Sequence, residues 1–375
     1  MALKTLATSV LLPILSQLLS SEALATVSNV AKSASASKIL RSSRDYHLLE
    51  VVPHDPSSFT CVSIQLYYNA AFGVLVFLLT YIMNTQSHQY FCGHQHHSQG
   101  LTYFDGHIYE GTGMEHQSHL LRHDPTNQMK TLDKIPLTPS HLFGEGVSHY
   151  YVWRTDANGN PMKEHRLIQL TWKHKIGKIY SLPNMQLIQE FNFDTSTGEG
   201  WGITFIPHRN EFYVSDGSEN LIVWDADTLV EKRRIVVTFE REPGTVDIVR
   251  YVNELEFVNF AANDPQTARD DSYSLCEESG ICSDASSTSF TPTMKILANV
   301  WYQDVLVSID PETGRIGRVF DLRDIYPIDQ RNEDGADCLN GISVTNRASD
   351  ENYEGLDVWV TGKLWPNMYR IRLID

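Results

Sequence analysis

The chain has 375 residues, of which 42% are hydrophobic, and a formal net charge of −16. A chain of this size and composition buries a large core, either as two domains or as one large all-β domain. The negative charge argues against nucleic acid as a partner, because phosphate groups would be repelled. Five scattered cysteines are too few to staple the fold, although Cys276 and Cys282 could close a small disulfide in a secreted protein.

The first 25 residues have the pattern of a signal peptide. Lys4 precedes an apolar run over residues 6–19, and Ala23-Leu24-Ala25 is a small-x-small cleavage site. The run is too short for a membrane anchor and is interrupted by Pro13. We therefore expect the protein to enter the secretory pathway and to reside outside the cell or in the vacuolar lumen. Residues 26–43 are rich in Ser, Ala and Lys and are predicted to be a linker.

Residues 62–84 form an almost uncharged apolar run that is long enough to cross a bilayer. A Cys/His-rich tract follows, with the members His88, Cys92, His94, His96 and His97. Taken alone, these two segments would indicate a transmembrane helix and a zinc site. No pair of these ligands has the usual spacing of a structural zinc site, so we predict no bound metal. We also predict no stable membrane association, and the run at 62–84 is the feature that argues otherwise.

A short glycine-containing motif recurs along the rest of the chain. Its copies, some of them degraded, lie at residues 99–101, 144–147, 199–203, 253–256 and 339–342. Most copies are followed by further strands and turns, and a repeat of roughly 40–50 residues rich in strands is typical of propeller blades. Five copies predict a five-bladed β-propeller, an all-β fold, over residues 44–375, with strand 46–52 closing the ring onto the last blade. Residues 261–293 are polar and aperiodic, and are predicted to be a disordered loop.

The first strand of each propeller blade lines the central channel, so equivalent positions of the five copies converge on one axis. Those positions hold Gln99, Glu145, Trp201, Asn253 and Asn340. A lone glutamate with tryptophan neighbours in such a ring is expected to be desolvated, with a raised pKa suited to acid–base chemistry. The glycines on either side of Glu145 also let a substrate approach its carboxylate closely.

Ten ordered motifs make the chain resemble the plant and bacterial type of glutaminyl-peptide cyclotransferase. They lie at residues 54–60, 99–101, 109–113, 143–146, 170–172, 199–202, 253–259, 298–301, 339–342 and 361–366. Members of that family are five-bladed propellers that convert an N-terminal Gln into pyroglutamate. The resemblance runs from about residue 46 to the C-terminus, with the motifs in the order of the family.

The resemblance implies roles for individual residues. Glu145 is the expected general acid–base, and the expected substrate-binding residues are Gln99, Phe143, Trp172, Trp201, Asn253, Trp301 and Lys363. Glu110 is a rival carboxylate because its Glu-Gly-Thr-Gly setting is also glycine-flanked, but it is expected in the second strand of its blade, further from the channel mouth, and is ranked second. The implied substrates are peptides and proteins with an N-terminal Gln, and no metal or other cofactor is implied.

The sequence departs from the family at one place. The family motif Phe-Thr-Gln-Gly-Leu is interrupted between Thr60 and Gln99, and deleting residues 61–98 restores it. Suitable codons at Thr60, Cys61 and Ser98 would supply intron donor and acceptor sites. We therefore hypothesise that residues 61–98 are a translated, unspliced intron. The rival hypothesis, a genuine membrane-crossing insert, would separate the closing strand from the first blade.

Two other classes of function stay open at this point. A non-catalytic propeller scaffold is suggested by Trp224-Asp225, but the Gly-His partner motif of WD repeats is missing. A calcium-dependent, lactonase-type propeller would need several carboxylates in the channel, where the sequence shows mainly Glu145. Metal analysis of the purified protein would separate the calcium-dependent lactonase type from the metal-independent alternatives.

Overall fold

The computed structural model of the protein describes residues 41–42, 45–54, 97–259, 294–347 and 355–374. The predicted signal peptide, most of the predicted linker, the apolar run at 62–84 and the predicted loop with Cys276 and Cys282 lie outside these residues. Of the Cys/His-rich tract, only His97 is described. Within the described ranges, no helix combines the length and the hydropathy that a membrane span needs.

The described strands follow one another blade by blade. The chain enters with β1 (Arg41–Ser42) and β2 (Tyr46–Pro53), and blade one is β3 (Ser98–Phe104), β4 (His107–Thr112), β5 (His119–Asp124) and β6 (Lys130–Pro136). Blade two is β7 (Gly144–Thr155), β8 (Pro161–Thr171), β9 (Ile176–Ser181) and β10 (Gln186–Asn192). Blade three is β11 (Ile203–Ile206), β12 (Glu211–Val214), β13 (Asn220–Asp225) and β14 (Glu231–Val236), with a 3₁₀ turn at Pro207–Arg209.

The second half of the chain forms two larger sheets. A hairpin of β15 (Thr238–Glu242) and β16 (Thr245–Ile248) precedes blade four, which is β17 (Val252–Asn259), β18 (Met294–Val300), β19 (Val305–Ile309) and β20 (Arg315–Asp321). Helix α1 (Ile328–Asp334) leads into blade five, which is β21 (Leu339–Arg347), β22 (Leu356–Gly362) and β23 (Asn367–Leu373). Strand β2 pairs antiparallel with β23, so blade five takes strands from both ends of the chain.

The innermost strands β3, β7, β11, β17 and β21 contact their neighbours in a closed ring. The prediction of an all-β, five-bladed propeller is therefore confirmed. The apolar core is divided into clusters that lie between adjacent blades. Between blades two and three, for example, the fully buried Trp224 packs with Phe193 and Phe212. Each large apolar side chain buried in this way contributes roughly 1.5–3 kcal/mol to stability.

The recurring glycines allow the inner strands to approach one another. A Cβ atom on Gly100 would lie 2.8 Å from the Cα of Gly146, and one on Gly146 would lie 2.8 Å from the Cα of Gly202. A Cβ on Gly202 would lie 2.8 Å from the Cα of Glu254, which takes the equivalent position in blade four. Because these distances are too short for a side chain, glycine recurs at this position in blades one, two and three, whereas blade four has Glu254 there.

Further along the channel, short polar side chains join blade one to two, two to three and three to four. The hydroxyl of Thr102 accepts a hydrogen bond from the His149 N–H at 3.2 Å, and that of Ser148 accepts one from the Phe205 N–H at 3.2 Å. The hydroxyl of Thr204 likewise accepts a hydrogen bond from the Phe257 N–H at 2.8 Å. These bonds satisfy backbone groups that blade sheets leave unpaired at the channel.

The hairpin β15–β16 was not predicted. It adds to the outer edge of blade four through a short parallel pairing of β15 with β20. Its side chains are half-buried or exposed on both faces. β15 carries neither an alternating pattern nor an apolar run, and β16, Thr-Val-Asp-Ile, alternates over only four residues, so the sequence signal for the hairpin is weak.

Both ends of the undescribed segment 55–96 attach to the same loop of blade five. The His54 N–H donates to the Pro366 carbonyl at 2.9 Å, and His97 forms an isolated antiparallel bridge with Lys363. The chain therefore leaves and re-enters the described structure beside the β22–β23 connection. This is the arrangement expected if the ring could close without the segment.

We expect that joining Thr60 directly to Gln99 leaves the propeller intact and its activity unchanged. Thr60 would then take the place of Ser98, and the apolar run, which costs about 25 cal/mol for each Å² left in water, would be gone. The deletion variant should be more soluble and as active as the full chain, and transcript sequencing should reveal the shorter message. Loss of activity on deletion, with no shorter transcript, would make the segment a genuine part of the protein.

Candidate active site

One end of the channel is ringed by the residues that precede the close-packed inner-strand positions. The ring consists of Gln99, Glu145, Trp201, Asn253 and Asn340, and the structure brings all five together. The Gly146 N–H donates to the Trp201 carbonyl at 2.9 Å, and the Gly202 position lies against the Asn253 carbonyl. The ring thus holds one acid, one indole and three amides.

Glu145 is the acid of this ring and is only 5% exposed. No described residue makes a hydrogen bond to its carboxylate. Burial raises the pKa of Glu145 to about 8, the charge of Lys363 acts to lower it, and that of Glu199 acts to raise it. A carboxyl group with a pKa near the working pH can both accept and return a proton, as acid–base catalysis requires.

Aromatic side chains wall the space around this carboxylate. Phe143 and Trp172 lie with ring centroids 5.5 Å apart, and Trp201 and Trp301 lie edge to face at 5.5 Å. Tyr302, 66% exposed, continues the wall outward from Trp301 at 4.6 Å. The predicted aromatic residues therefore lie in two contacting pairs beside Glu145.

Glu199 joins the two halves of this wall. It was not among the site residues predicted from the sequence. Its Oε2 accepts hydrogen bonds from both indole N–H groups, Trp172 at 2.8 Å and Trp201 at 2.9 Å. One carboxylate oxygen therefore fixes the orientation of two tryptophans. The signal was available in the motif at 199–202, where Glu199 stands two residues before a predicted pocket tryptophan.

The three amides of the ring are hydrogen-bonded to one another. Asn253 donates to the side-chain oxygen of Asn340 at 3.2 Å, and Asn340 donates to that of Gln99 at 2.9 Å. Gln99 is buried and its Nε2 has no hydrogen-bond partner among the described residues. It is therefore a donor available to a bound molecule. Asn340 was placed in the ring by the sequence but was not among the predicted site residues.

Lys363 stands at the same mouth, in the connection from β22 to β23. Its backbone is held on both sides, because its N–H donates to the Cys338 carbonyl at 2.9 Å and its carbonyl accepts from the Asp337 N–H at 2.8 Å. Its ammonium group is close enough to affect the pKa of Glu145. It supplies a positive charge opposite the acid.

The channel holds more carboxylates than the sequence indicated. Glu254 and Glu256 of β17 are both buried, whereas the sequence showed mainly Glu145. The Glu254 oxygens accept hydrogen bonds from the N–H groups of Leu101 at 3.1 Å and Ile342 at 2.6 Å. Burial, with the nearby charge of Glu256, raises its pKa well above the usual value. Glu254 therefore bridges the inner strands of blades one and five at the closest approach of the strands.

Glu110, the rival carboxylate, lies inside blade one and is not a member of the ring. It is fully buried, and its two oxygens are each 2.9 Å from an Nε2 atom, one of His54 and one of His123. Burial alone would raise its pKa, but the two imidazoles outweigh this effect and hold it well below the usual value. Because His54 follows β2, this cluster ties the N-terminal strand to blade one.

No group of three or more His, Cys, Asp or Glu side chains in the described part of the chain is arranged to hold a metal ion. A cavity of about 390 Å³ opens at the far end of the channel, lined by residues such as Thr204, Phe205 and His149. The buried Glu254 carboxylate, which bridges the inner strands of blades one and five, lies between this cavity and Glu145. The aromatic wall, the acid with a raised pKa and the available amide donor all lie at the other end.

Comparisons with known proteins identify the family of the chain. The family model described as glutamine cyclotransferase matches residues 76–264 and 290–373, a range that begins within the segment 61–98. The chain is 27% identical over 280 residues to a glutaminyl-peptide cyclotransferase of Arabidopsis thaliana, covering 74% of this chain and 67% of that protein. Among solved structures it is similar to Myxococcus xanthus glutaminyl cyclase, with 22% identity, a TM-score of 0.48 and coverage of 75% of this chain and 93% of that one. The family match spans more than half of the sequence, and the chain belongs to the glutamine cyclotransferase family.

Proposed function

We propose that this protein is a glutaminyl-peptide cyclotransferase, an acyltransferase that converts the N-terminal Gln of peptides and proteins into pyroglutamate and releases ammonia. The observation that carries the proposal is a single carboxylate with a pKa of about 8, buried between tryptophans beside an amide donor. The family match and the Arabidopsis relative support the same reaction.

The reaction needs one proton carrier and one fixed geometry. The α-amino nitrogen of the substrate attacks the carbon of its own γ-carboxamide, so a C–N bond forms and closes a five-membered ring. Glu145 takes a proton from the attacking amine and returns it to the departing amide nitrogen, which leaves as ammonia when the second C–N bond breaks. The balance is one Gln peptide to one pyroglutamyl peptide and one ammonia.

The other residues hold the substrate and its developing charge. The tryptophan walls fold the flexible Gln side chain towards its own amine, which lowers the entropic cost of ring closure. The unpartnered Nε2 of Gln99 donates to the carboxamide oxygen, where negative charge develops in the tetrahedral intermediate. The ammonium group of Lys363 adds a positive charge at the same mouth. The leader-like residues 1–25, outside the described residues, support a secretory location for this reaction.

The pH dependence of kcat/KM should report the pKa of Glu145. In the attack step the substrate amine, whose pKa is about 7.7–8.0, attacks as the free base and Glu145 accepts its proton, so both groups must be deprotonated. We expect kcat/KM to rise with pH and to level off above about pH 8. Lys363→Met removes a charge that lowers the pKa of Glu145 and should move the rise to higher pH. Glu199→Gln removes a charge that raises it and should move the rise to lower pH.

Equal shifts in the same direction for both variants would contradict this assignment. Glu231→Gln serves as a matched control for Glu199→Gln, because Glu231 is a surface carboxylate in β14 paired with Arg234. It should leave the profile unchanged.

Chelators should leave the activity unchanged, because the proposed chemistry uses only carboxylate, amide and ammonium groups. The measurement is ammonia release from a Gln peptide after incubation with EDTA or phenanthroline. Inhibition that added calcium reverses would favour the lactonase-type alternative. Inhibition that added zinc reverses would revive the Cys/His-rich tract as a metal site.

A further inference from the structure

The direction of the hydrogen bonds among the three ring amides is set by a backbone carbonyl. The side-chain nitrogen of Asn340 donates to the Ser98 carbonyl oxygen at 3.1 Å as well as to the Gln99 side chain. A backbone carbonyl can only accept, so the NH2 group of Asn340 must face β3 and its oxygen must face β17. Asn340 is fully buried in β21, which leaves this orientation no alternative partner in water.

The orientation of Asn340 determines that of both neighbours. Gln99 must turn its oxygen to the NH2 group of Asn340, so its own NH2 group points away from Asn340, where no described residue accepts from it. Asn253 must turn its NH2 group to the oxygen of Asn340, so its own oxygen points away. No described residue donates to that oxygen. The chain of amides therefore ends in one donor, on Gln99, and one acceptor, on Asn253.

A donor and an acceptor at a fixed separation match a primary carboxamide, which has one oxygen acceptor and one NH2 donor. A carboxylate has only acceptors, and one of its oxygens would meet the oxygen of Asn253. Sites built to hydrogen-bond a particular group reject an analogue that leaves buried polar atoms unpaired. The amide chain is thus suited to separate Gln from Glu at the substrate N-terminus.

We propose that Asn340 is a positioning residue that fixes the polarity of Gln99 and Asn253, and that this polarity selects an N-terminal Gln over an N-terminal Glu. The inference rests on the proposed function for the identity of the substrate. It assigns Asn340 no contact with the reacting atoms. Asn340 acts through the two amides on either side of it.

The test measures binding and not turnover, so that it is independent of the proposed chemistry. In a Glu145→Gln background, the dissociation constants of two peptides that differ only in an N-terminal Gln or Glu are measured by calorimetry. The parent should prefer the Gln peptide by about tenfold or more. Asn340→Leu, which is similar in size but has no polar atoms, should free both neighbouring amides to rotate and bring the ratio close to one.

Asn340→Asp keeps the shape, and its ionised form can no longer donate, so this variant and its parent are compared at pH 9. It should turn the NH2 group of Gln99 towards itself and leave two acceptors at the mouth, so it should weaken the Gln peptide by about tenfold or more without equalising the two peptides. Asn299 is the matched control, because it is a buried amide of β18 whose side chain bonds only to backbone groups, the Glu254 N–H at 2.9 Å and the Leu339 carbonyl at 2.8 Å. Asn299→Asp should lower the melting temperature and leave the ratio unchanged.

The outcomes separate the two proposals. An unchanged Gln-to-Glu ratio in folded Asn340→Leu, or full binding of the Gln peptide by folded Asn340→Asp, would overturn the role of Asn340. So would a parent that binds both peptides equally. If the Glu145→Gln parent prefers the Gln peptide as expected but the wild-type protein releases no ammonia, the proposed reaction is overturned and the role of Asn340 stands.

Discussion

Replacing Glu145 by Gln should reduce kcat/KM for cyclisation by about 10²–10⁴-fold, because an amide cannot carry the proton from the attacking amine to the leaving nitrogen. The fold should be unaffected. Burial raises the folded-state pKa of Glu145 to about 8, so the stability linked to its neutral form is present at low pH and is lost as the pH rises through 8. The Gln variant should therefore be at least as stable as the wild type at pH 9.

The measurements are the rate of ammonia release and denaturant unfolding on the same preparations. A folded Glu145→Gln variant with near wild-type activity would mean that another group carries the proton.

Replacing Glu110 by Gln should have the opposite pattern, a large loss of stability with catalysis retained. The carboxylate is fully buried and pairs with His54 and His123. The Nδ1 atom of His54 faces the Trp365 carbonyl at 3.1 Å, so it donates there, and Nε2 must donate to Glu110. A Gln side chain offers one acceptor for two imidazoles and no charge. Removing one partner of such a buried cluster costs about 3–5 kcal/mol.

The pH dependence gives an independent check on the Glu110 cluster. The folded-state pKa of Glu110 is held well below 4.5, so its contribution is present above the unfolded value and is lost as the pH falls through the folded one. Wild-type stability should thus decline in acid more than that of Glu110→Gln. A Glu110→Gln variant that is stable but inactive would show that Glu110, not Glu145, is the catalytic carboxylate.

The fold and the ring could be predicted because both depend on the chain's own periodicity. Glycines at Gly100, Gly146 and Gly202 recur where the inner strands touch, and the residue before each one must then face the channel mouth. The glycine on each side of Glu145 singled out the acid in the same way. These features are local in sequence, so a repeat of motifs is sufficient to detect them.

Contacts between distant side chains could not be predicted in this way. The motif at 199–202 places Glu199 near Trp201, but it does not indicate that the same oxygen also accepts from the indole of Trp172, 27 residues away. The partners of Glu110 lie at His54 and His123, on two different blades. Glu254 follows an Asn and alternates with apolar residues, a pattern that equally fits an exposed strand face. Its place at the channel centre depends on how five strands converge.

The most direct test of the central claim is to incubate the purified protein with a peptide that begins with Gln and to follow ammonia and the peptide mass together. We expect one ammonia for each pyroglutamyl peptide formed, and no ammonia from the same peptide with an acetylated amine, which has no nucleophile to attack the carboxamide. Ammonia release from the acetylated peptide, or none from the free one, would contradict that claim.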